Sequence, residues 1–320
     1  MQDEYVQVAC VGAGTIGRSW ATLFAGKGYN VVLQDTDEAA LKIARKNIAS
    51  NFRTLTSFRL LSRAEARDSA SRITYTADLE RALSRADFVQ ESVPEDLSLK
   101  RKVFSEISSR VPRSTVIASS TGGLLMTKIQ SAAKRPERCV IVHPCQLPVH
   151  LTTLVEIVPG RLTNKRTIET SVRMMRRIGK LPLVMKRDIQ DFVLNRLQFT
   201  LFREAVDIVG RGFVSAADVD AALCEFSKAS FCVGLGPFIQ AHIHGGRHAL
   251  GGIEACMDYY ARILPDTWRS LAKWTEIPAE VKSGVEKSVE QMVRKRGLSN
   301  KELVRWRDRS LLKVAETVWK

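Results

Sequence analysis

The stretch VQVACVGAGTIGRSWATLFAGKGYNVVLQDTD, which starts at Val6, constrains the fold more than any other part of the chain. An apolar, β-rich run from Val6 to Val11 leads into Gly12-Ala13-Gly14-Thr15-Ile16-Gly17, and a helical pattern follows to Ala25. A second strand pattern, Asn30 to Gln34, ends at Asp35, 18 residues after Gly17. Strand, glycine-rich turn, helix, strand and acid in this order match the βαβ unit that holds a dinucleotide. Gly12 allows a tight turn, Gly14 lets the backbone approach a pyrophosphate, and Gly17 lets the helix pack closely. The helix start at Thr15 and Ile16 presents free N–H groups to the phosphates. Asp35 can accept both ribose hydroxyls and would repel a 2′-phosphate, so NAD is expected rather than NADP.

Further strand and helix patterns alternate after this unit. ITYTADLERALSRADFVQESV reads as strand, short helix and a strand from Phe88 to Val93. Strands are also expected at Val116–Ser119 and Val140–Val142. The fold class is therefore α/β, with a Rossmann-type, doubly wound parallel sheet. Ligands of such sheets bind at the carboxyl ends of the strands, where SVPEDLSLK, SSTGG and HPCQLP all fall. After Val158 the β signal survives only in KLPLVMK, residues 180–186, and from Asp188 the apolar spacing is helical. A long helix is expected to begin with Phe192 and Asn195, Ser215 to cap another, and LGPF, residues 235–238, to break the chain. The division is thus residues 1–187 for the dinucleotide and a smaller, all-helical domain, residues 188–320, for substrate and dimerisation. A homodimer is expected through that helical domain.

Composition removes other classes. The chain is 45% hydrophobic and 26% charged, ordinary for a soluble globular protein. No apolar run approaches ~18 residues, and the acidic start MQDEYVQVAC does not read as a secretory signal. No membrane partner is expected. Six scattered cysteines with no CxxC pair fit a reduced, cytoplasmic protein without disulfides or a metal. The net charge of +15 is spread over helical stretches such as RMMRRIGK beside acidic neighbours, rather than in a stripe with interleaved aromatics. Nucleic acid is not expected; the field suits a small, anionic substrate.

VIVHPCQLPVHLTTLVEIV, residues 140–158, poses the chemical question. Two apolar runs bracket a loop holding His143, and Glu156 lies inside the second run, where an unpaired carboxylate is costly. The stretch alone fits both a catalytic His–Glu dyad and two polar groups that stabilise a loop.

GAGTIGRSWATLFAGKG, QESVPEDLSLKRKVF, ERCVIVHP, LVEIVPG, FVLNRLQ, EAVDIVGRGFVSAADVDAAL and the terminal RWRD together resemble the L-3-hydroxyacyl-CoA dehydrogenase superfamily along nearly the full chain. Within it the chain is most similar to the L-gulonate 3-dehydrogenase/lambda-crystallin branch, with carnitine 3-dehydrogenases close by. The resemblance implies NAD-linked oxidation of a 3-hydroxy acid or its thioester, with His143 as acid/base oriented by Glu156. It implies that Glu95 and Lys100 contact the cofactor and that Asn195 binds substrate.

Departures from the family pattern concentrate in the site. Gly122 stands where the family pattern carries a serine that can hydrogen-bond the reacting hydroxyl, so Ser120, with Thr121 beside it, is the catalytic candidate to substitute for it. Gln146 replaces an asparagine, Asp191 replaces a glycine, and the thirteen-residue step from His143 to Glu156 is one longer than the pattern. Three readings follow: a dehydrogenase with an altered substrate, an NAD-site protein turned to non-redox acid/base chemistry, or a non-catalytic, crystallin-like dinucleotide binder.

Overall fold

The computed structural model describes residues 7–230 and 252–319; the Met1–Val6 segment and the LGPF turn lie outside them. Contacts divide the chain into two compact units, Met1–Arg196 with Leu303–Lys320, and Leu197–Glu302. Sequence pattern alone groups residues 303–320 with the helical half. In the structure they join the first unit: Leu312 is buried there, and the Trp319 indole N–H donates to the His150 carbonyl at 2.8 Å. The Trp319 ring also fills the space that Gly26, lacking a side chain, leaves open.

The first unit is built on an eight-stranded sheet in the order β3-β2-β1-β4-β5-β6-β7-β8. Its strands are β1 (Gln7–Val11), β2 (Asn30–Gln34), β3 (Ile73–Thr76), β4 (Phe88–Glu91), β5 (Val116–Ser119), β6 (Cys139–Pro144), β7 (Leu154–Pro159) and β8 (Leu181–Val184). Strands β1 to β6 pair in parallel, as the alternating pattern requires. One pairing departs from the all-parallel expectation: β7 runs antiparallel to β6. The nine residues between Pro144 and Leu154 hold only a short 3-10 turn, too little for the crossover a parallel return needs.

Along β1, Val8 and Cys10 enter one core while Ala9 and Val11 enter the other. Period-two alternation with both faces apolar requires helices on both sides of the sheet. Helix α1 (Thr15–Gly26) buries Trp20, Leu23 and Phe24 against one face. Helix α5 (Leu97–Arg110) buries Phe104 and Ile107 against the other.

The helix expected to begin at Phe192 starts two residues later, as α8 (Leu194–Gly210). Asp191 and Phe192 take left-handed conformations, φ 61° and 52°, so the right-handed helix cannot include them. The second unit is helical: the rest of α8, α9 (Ala216–Ser230) and the helices Gly252–Ser270 and Ala279–Arg296. Among the described residues, no helix is long and apolar enough to cross a membrane.

Candidate active site

The cofactor region forms where β1 gives way to α1. Gly12 has φ 97°, and a Cβ there would lie 2.7 Å from the Ser92 carbonyl oxygen. A Cβ at Gly17 would collide with the Gly12 carbonyl oxygen. These two glycines are demanded by close backbone approach, whereas Gly14 faces open space. No side chain caps the start of α1, and Gly14, Thr15 and Ile16 line a cavity of about 960 Å³. A helix N-terminus left uncapped beside such a cavity fits the pyrophosphate of a dinucleotide.

Asp35 lines the same cavity just past β2. Its Oδ2 accepts the Ala13 N–H at 2.7 Å and its Oδ1 the Asp37 N–H at 3.0 Å. The carboxylate is thus fixed by the turn it faces.

Glu95 and Lys100 are partly turned inward. Lys100 is 1% exposed and donates to Glu91 Oε1 at 2.8 Å and to the Val93 carbonyl at 3.0 Å. Its Nζ lies 3.5 Å from Glu95 Oε2. Glu95 Oε1 accepts from Thr121 Oγ1, from the Gly122 N–H at 3.2 Å and from the Gly123 N–H at 3.3 Å. These groups therefore set the course of the SSTGG loop while also lining the cavity.

Ser120 is committed elsewhere in the same floor. Its Oγ accepts from Trp20 Nε1 at 3.2 Å and from Gln90 Nε2 at 2.7 Å, and lies 2.8 Å from Ser92 Oγ. With both lone pairs taken, its own proton goes to Ser92. A hydroxyl so occupied has no capacity left for a substrate hydroxyl, which counts against Ser120 in that role.

The His–Glu pair is built by strand register. His143 of β6 stands directly opposite Glu156 of β7. Opposed residues project on the same face, and His143 Nδ1 lies 3.0 Å from Glu156 Oε2. The other carboxylate oxygen accepts the N–H groups of Val193, at 2.9 Å, and Leu194, at 3.0 Å, where α8 begins. Burial pushes the Glu156 carboxyl up, but the bonds from His143, Leu194 and Val193 outweigh it and hold the group below its ordinary range. Glu156 is a fully buried carboxylate kept ionised by three donors.

His143 turns its other nitrogen outward. A Cβ on Gly122 would lie 3.1 Å from His143 Nε2 and 3.3 Å from Asn195 Nδ2. Asn195, in the first turn of α8, donates to the Gly122 carbonyl at 2.9 Å. Gly122, His143 and Asn195 therefore meet at one point, with an imidazole nitrogen facing a position that carries no side chain.

Sequence reading missed three parts of this arrangement. The Phe192 ring meets the His143 ring edge-on at 5.5 Å. Cys145, His143 and Glu156 bring ligand-type atoms within 4.8 Å of one another. Burial and the Glu156 charge push the Cys145 thiol up to about 12, so it is a protonated neighbour and not a nucleophile. The backbone clamp on Glu156 could be anticipated only from a helix start following an Asp–Phe pair. Gln146 is exposed, and its carbonyl accepts from Thr152 Oγ1 at 3.2 Å.

Comparison with known proteins identifies the family. Residues 7–189 match the NAD binding domain of 3-hydroxyacyl-CoA dehydrogenase, and residues 192–288 match its C-terminal domain. The chain is 35% identical to L-carnitine dehydrogenase of Streptomyces griseus, over 98% of this chain and 90% of that one. It is 32% identical to lambda-crystallin of Oryctolagus cuniculus, over 97% and 95%. Among solved structures it resembles FHMPC 5-dehydrogenase, described as an NAD+ dependent dismutase, with a TM-score of 0.78 and 28% identity over 98% of this chain and 99% of that one. NAD is the cofactor of the matched first domain. The chain therefore belongs to the 3-hydroxyacyl-CoA dehydrogenase family and is an NAD-dependent oxidoreductase.

Proposed function

We propose that the protein oxidises a 3-hydroxy acid, or its thioester, to the 3-oxo compound with NAD, on a substrate that differs from those of its relatives. The observation that carries this reading is His143 held by an ionised Glu156, with Nε2 turned toward Gly122 and Asn195. Bound NAD would accept the hydride. His143 Nε2 takes the proton from the substrate hydroxyl, since the carbon can give up a hydride only as its hydroxyl proton leaves. Glu156 accepts the Nδ1–H, which fixes the tautomer and stabilises the imidazolium. Asn195 binds substrate beside the same point. Gly12, Gly14, Thr15, Ile16, Gly17 and Asp35 hold the dinucleotide, and Glu95 with Lys100 shapes the loop against it. The experiment is a screen of 3-hydroxy acids and thioesters with NAD+, read by NADH absorbance. Tight NADH binding with no redox change on any of them would sink the reading.

Two expected outcomes follow at the site. NAD should bind more tightly than NADP, and Asp35→Asn should narrow the gap about tenfold by removing the charge opposite a 2′-phosphate, worth about 1.4 kcal/mol. Equal binding of both by wild type would detach Asp35 from the ribose. Gly122→Ser combined with Gln146→Asn should raise kcat/KM on ordinary family substrates and lower it on the native one. A serine at position 122 sets its Cβ against His143 and Asn195, so both neighbours must give by a few tenths of an ångström and the pocket narrows. The effects share one pocket and should not add. Wild-type kcat/KM of ~10⁴ M⁻¹s⁻¹ or above on L-gulonate, L-carnitine or a 3-hydroxyacyl-CoA would remove the altered-substrate part of the proposal.

We also propose a homodimer through the helical unit. Leu197, Phe199, Leu201 and Phe202 are exposed there, more apolar surface than one helix of a monomer ordinarily leaves to water. Sedimentation at a single chain's mass would overturn it.

A further inference from the structure

Cys145 stands against the His143–Glu156 pair and takes no part in the proton transfer. It lies two residues after His143 at the end of β6, so strand alternation puts both side chains on one face. Its backbone N–H donates to the Leu154 carbonyl at 3.4 Å, which carries the β6–β7 pairing one residue further and fixes the thiol beside the pair. A nitrogen, a sulfur and a carboxylate oxygen thus lie within 4.8 Å of one another.

Each of the three keeps its ligand atom available. Glu156 Oε1 is taken by the Val193 and Leu194 N–H groups, so Oε2 is the oxygen that faces His143 Nδ1, at 3.0 Å. The Cys145 side chain is half-buried, and the thiol's bond to the His143 carbonyl is long, 3.8 Å. A tetrahedral ion with bonds of about 2.0 Å to nitrogen and oxygen and about 2.3 Å to sulfur needs ligand atoms roughly 3.3–3.6 Å apart. That range lies between the 3.0 Å of the pair and the 4.8 Å limit of the trio, so small side-chain rotations close the set.

The donors select the ion. Thiolate, imidazole and one carboxylate suit a borderline-soft dication such as Zn²⁺, and not Mg²⁺ or Ca²⁺, which take oxygen ligands. A dication deprotonates a coordinating thiol outright, so the protonated state of free Cys145 is no bar.

We propose that His143, Cys145 and Glu156 form a binding site for a thiophilic divalent cation of the Zn²⁺ class, and that the ion and the dyad's proton transfer exclude each other. The ion bonds to His143 Nδ1 in place of hydrogen. That hydrogen moves to Nε2, the thiol proton leaves to solvent, and no electron changes hands, so one proton is released per ion bound. With hydrogen on Nε2 the imidazole has no lone pair turned toward Gly122 and cannot take a hydroxyl proton. The ion is a reversible brake, not a resident cofactor. The exclusion rests on the reading of His143 as the base; the site itself does not.

The test uses the full-length protein, reduced and stripped of metal, with Co²⁺ or Zn²⁺ alone as the probe. Wild type should bind Co²⁺ with the near-ultraviolet absorption of a cobalt–thiolate bond and release one proton per ion to a pH indicator. Nitrogen NMR of histidine-labelled protein should find the His143 hydrogen on Nδ1 before Zn²⁺ and on Nε2 after it; Mg²⁺ should change neither readout. Cys145→Ala should lose the cobalt–thiolate absorption and bind Zn²⁺ about 10²-fold more weakly. Cys145→Ser, close to cysteine in size, should lose the absorption too, and decides the matter if the alanine variant does not fold. On a substrate found in the NAD+ screen, Zn²⁺ should lower kcat, leave the KM for NAD+ within about twofold, and be reversed by EDTA.

A wild type without the cobalt–thiolate absorption overturns the proposal. So does an absorption that survives in the Cys145 variants, which would belong to an exposed thiol such as Cys224. Zn²⁺ bound with the His143 hydrogen still on Nδ1 overturns the exclusion. Absorption, proton release and tautomer change in a protein that oxidises nothing keep this proposal and remove the dehydrogenase reading. Turnover in a wild type that shows none of the three does the reverse.

Discussion

His143→Ala is expected to lower kcat by ~10³-fold or more while NAD affinity stays within about twofold. The histidine acts on the hydroxyl proton, and the cofactor cavity is lined by other residues. Glu156→Gln should follow it with a loss of ~10²–10⁴-fold, because the amide can keep the Val193 and Leu194 bonds only by turning its NH₂ toward His143 Nδ1. That reverses the tautomer and removes the acceptor facing the substrate. The two losses should not add, since both remove one proton-transfer unit. Steady-state kinetics with NAD titration on the single and double variants decides the matter. A His143→Ala enzyme that keeps its rate would leave the pair as a brace for the β6–β7 loop.

The second large effect is on stability. His150, in the 3-10 turn of the loop, is 4% exposed, and its Nδ1 lies 2.7 Å from Ser19 Oγ of α1. Its own backbone N–H donates to the same oxygen at 3.2 Å, so one serine hydroxyl meets both the ring and the backbone of this residue. Burial, then the nearby Lys180 charge, pushes the imidazole down to about 3. A histidine depressed from about 6.5 binds a proton in the unfolded chain before it does in the folded one. Unfolding therefore takes up protons, and stability falls as pH drops from about 6.5 toward 3. The full span is worth on the order of 4 kcal/mol.

Lys180 adds a second slope. It is 5% exposed, donates to the Val149 and Thr152 carbonyls, and burial lowers it to about 7. Between pH 7 and its unfolded value, stability should rise with pH. Thermal unfolding from pH 4 to 10 reads both. His150→Gln should flatten the acid limb selectively; an unchanged acid limb in that variant would place the lability elsewhere.

The dinucleotide unit was legible because its signals are local: Gly12, Gly14, Gly17 and Asp35 fall within one βαβ segment, where Gly12 and Gly17 sit at close backbone approaches and Gly14 and Asp35 line the cavity. The second half of the sheet was only half legible. The sequence marks the run ending at Val158 only as apolar, and the direction of the strand it forms depends on how much chain returns from β6, which a residue count alone does not translate into structure. The internal bonding of Ser120 was not legible for a different reason. Its partners Trp20, Gln90 and Ser92 lie 100, 30 and 28 residues away, so nothing nearby in the chain marks its hydroxyl as spent. Asp191 and Phe192 sit in a helical apolar pattern, and nothing in that pattern marks their positive φ, which accompanies contacts to Gly123 and His143 that are distant in the chain.

His143 and Glu156 are partners across a strand pair, and that has a consequence for how such a chain can diverge. Their separation is set by ladder hydrogen bonds, so the chain that joins the two strands is free to change length. The nine residues between Pro144 and Leu154 can change in number without altering the spacing of the pair. A lineage can therefore remodel this loop, one insertion at a time, without disturbing the two side chains. The same ladder forbids a different kind of change: a single-residue slip of β7 against β6 would turn Glu156 to the opposite face and put an apolar neighbour against the imidazole.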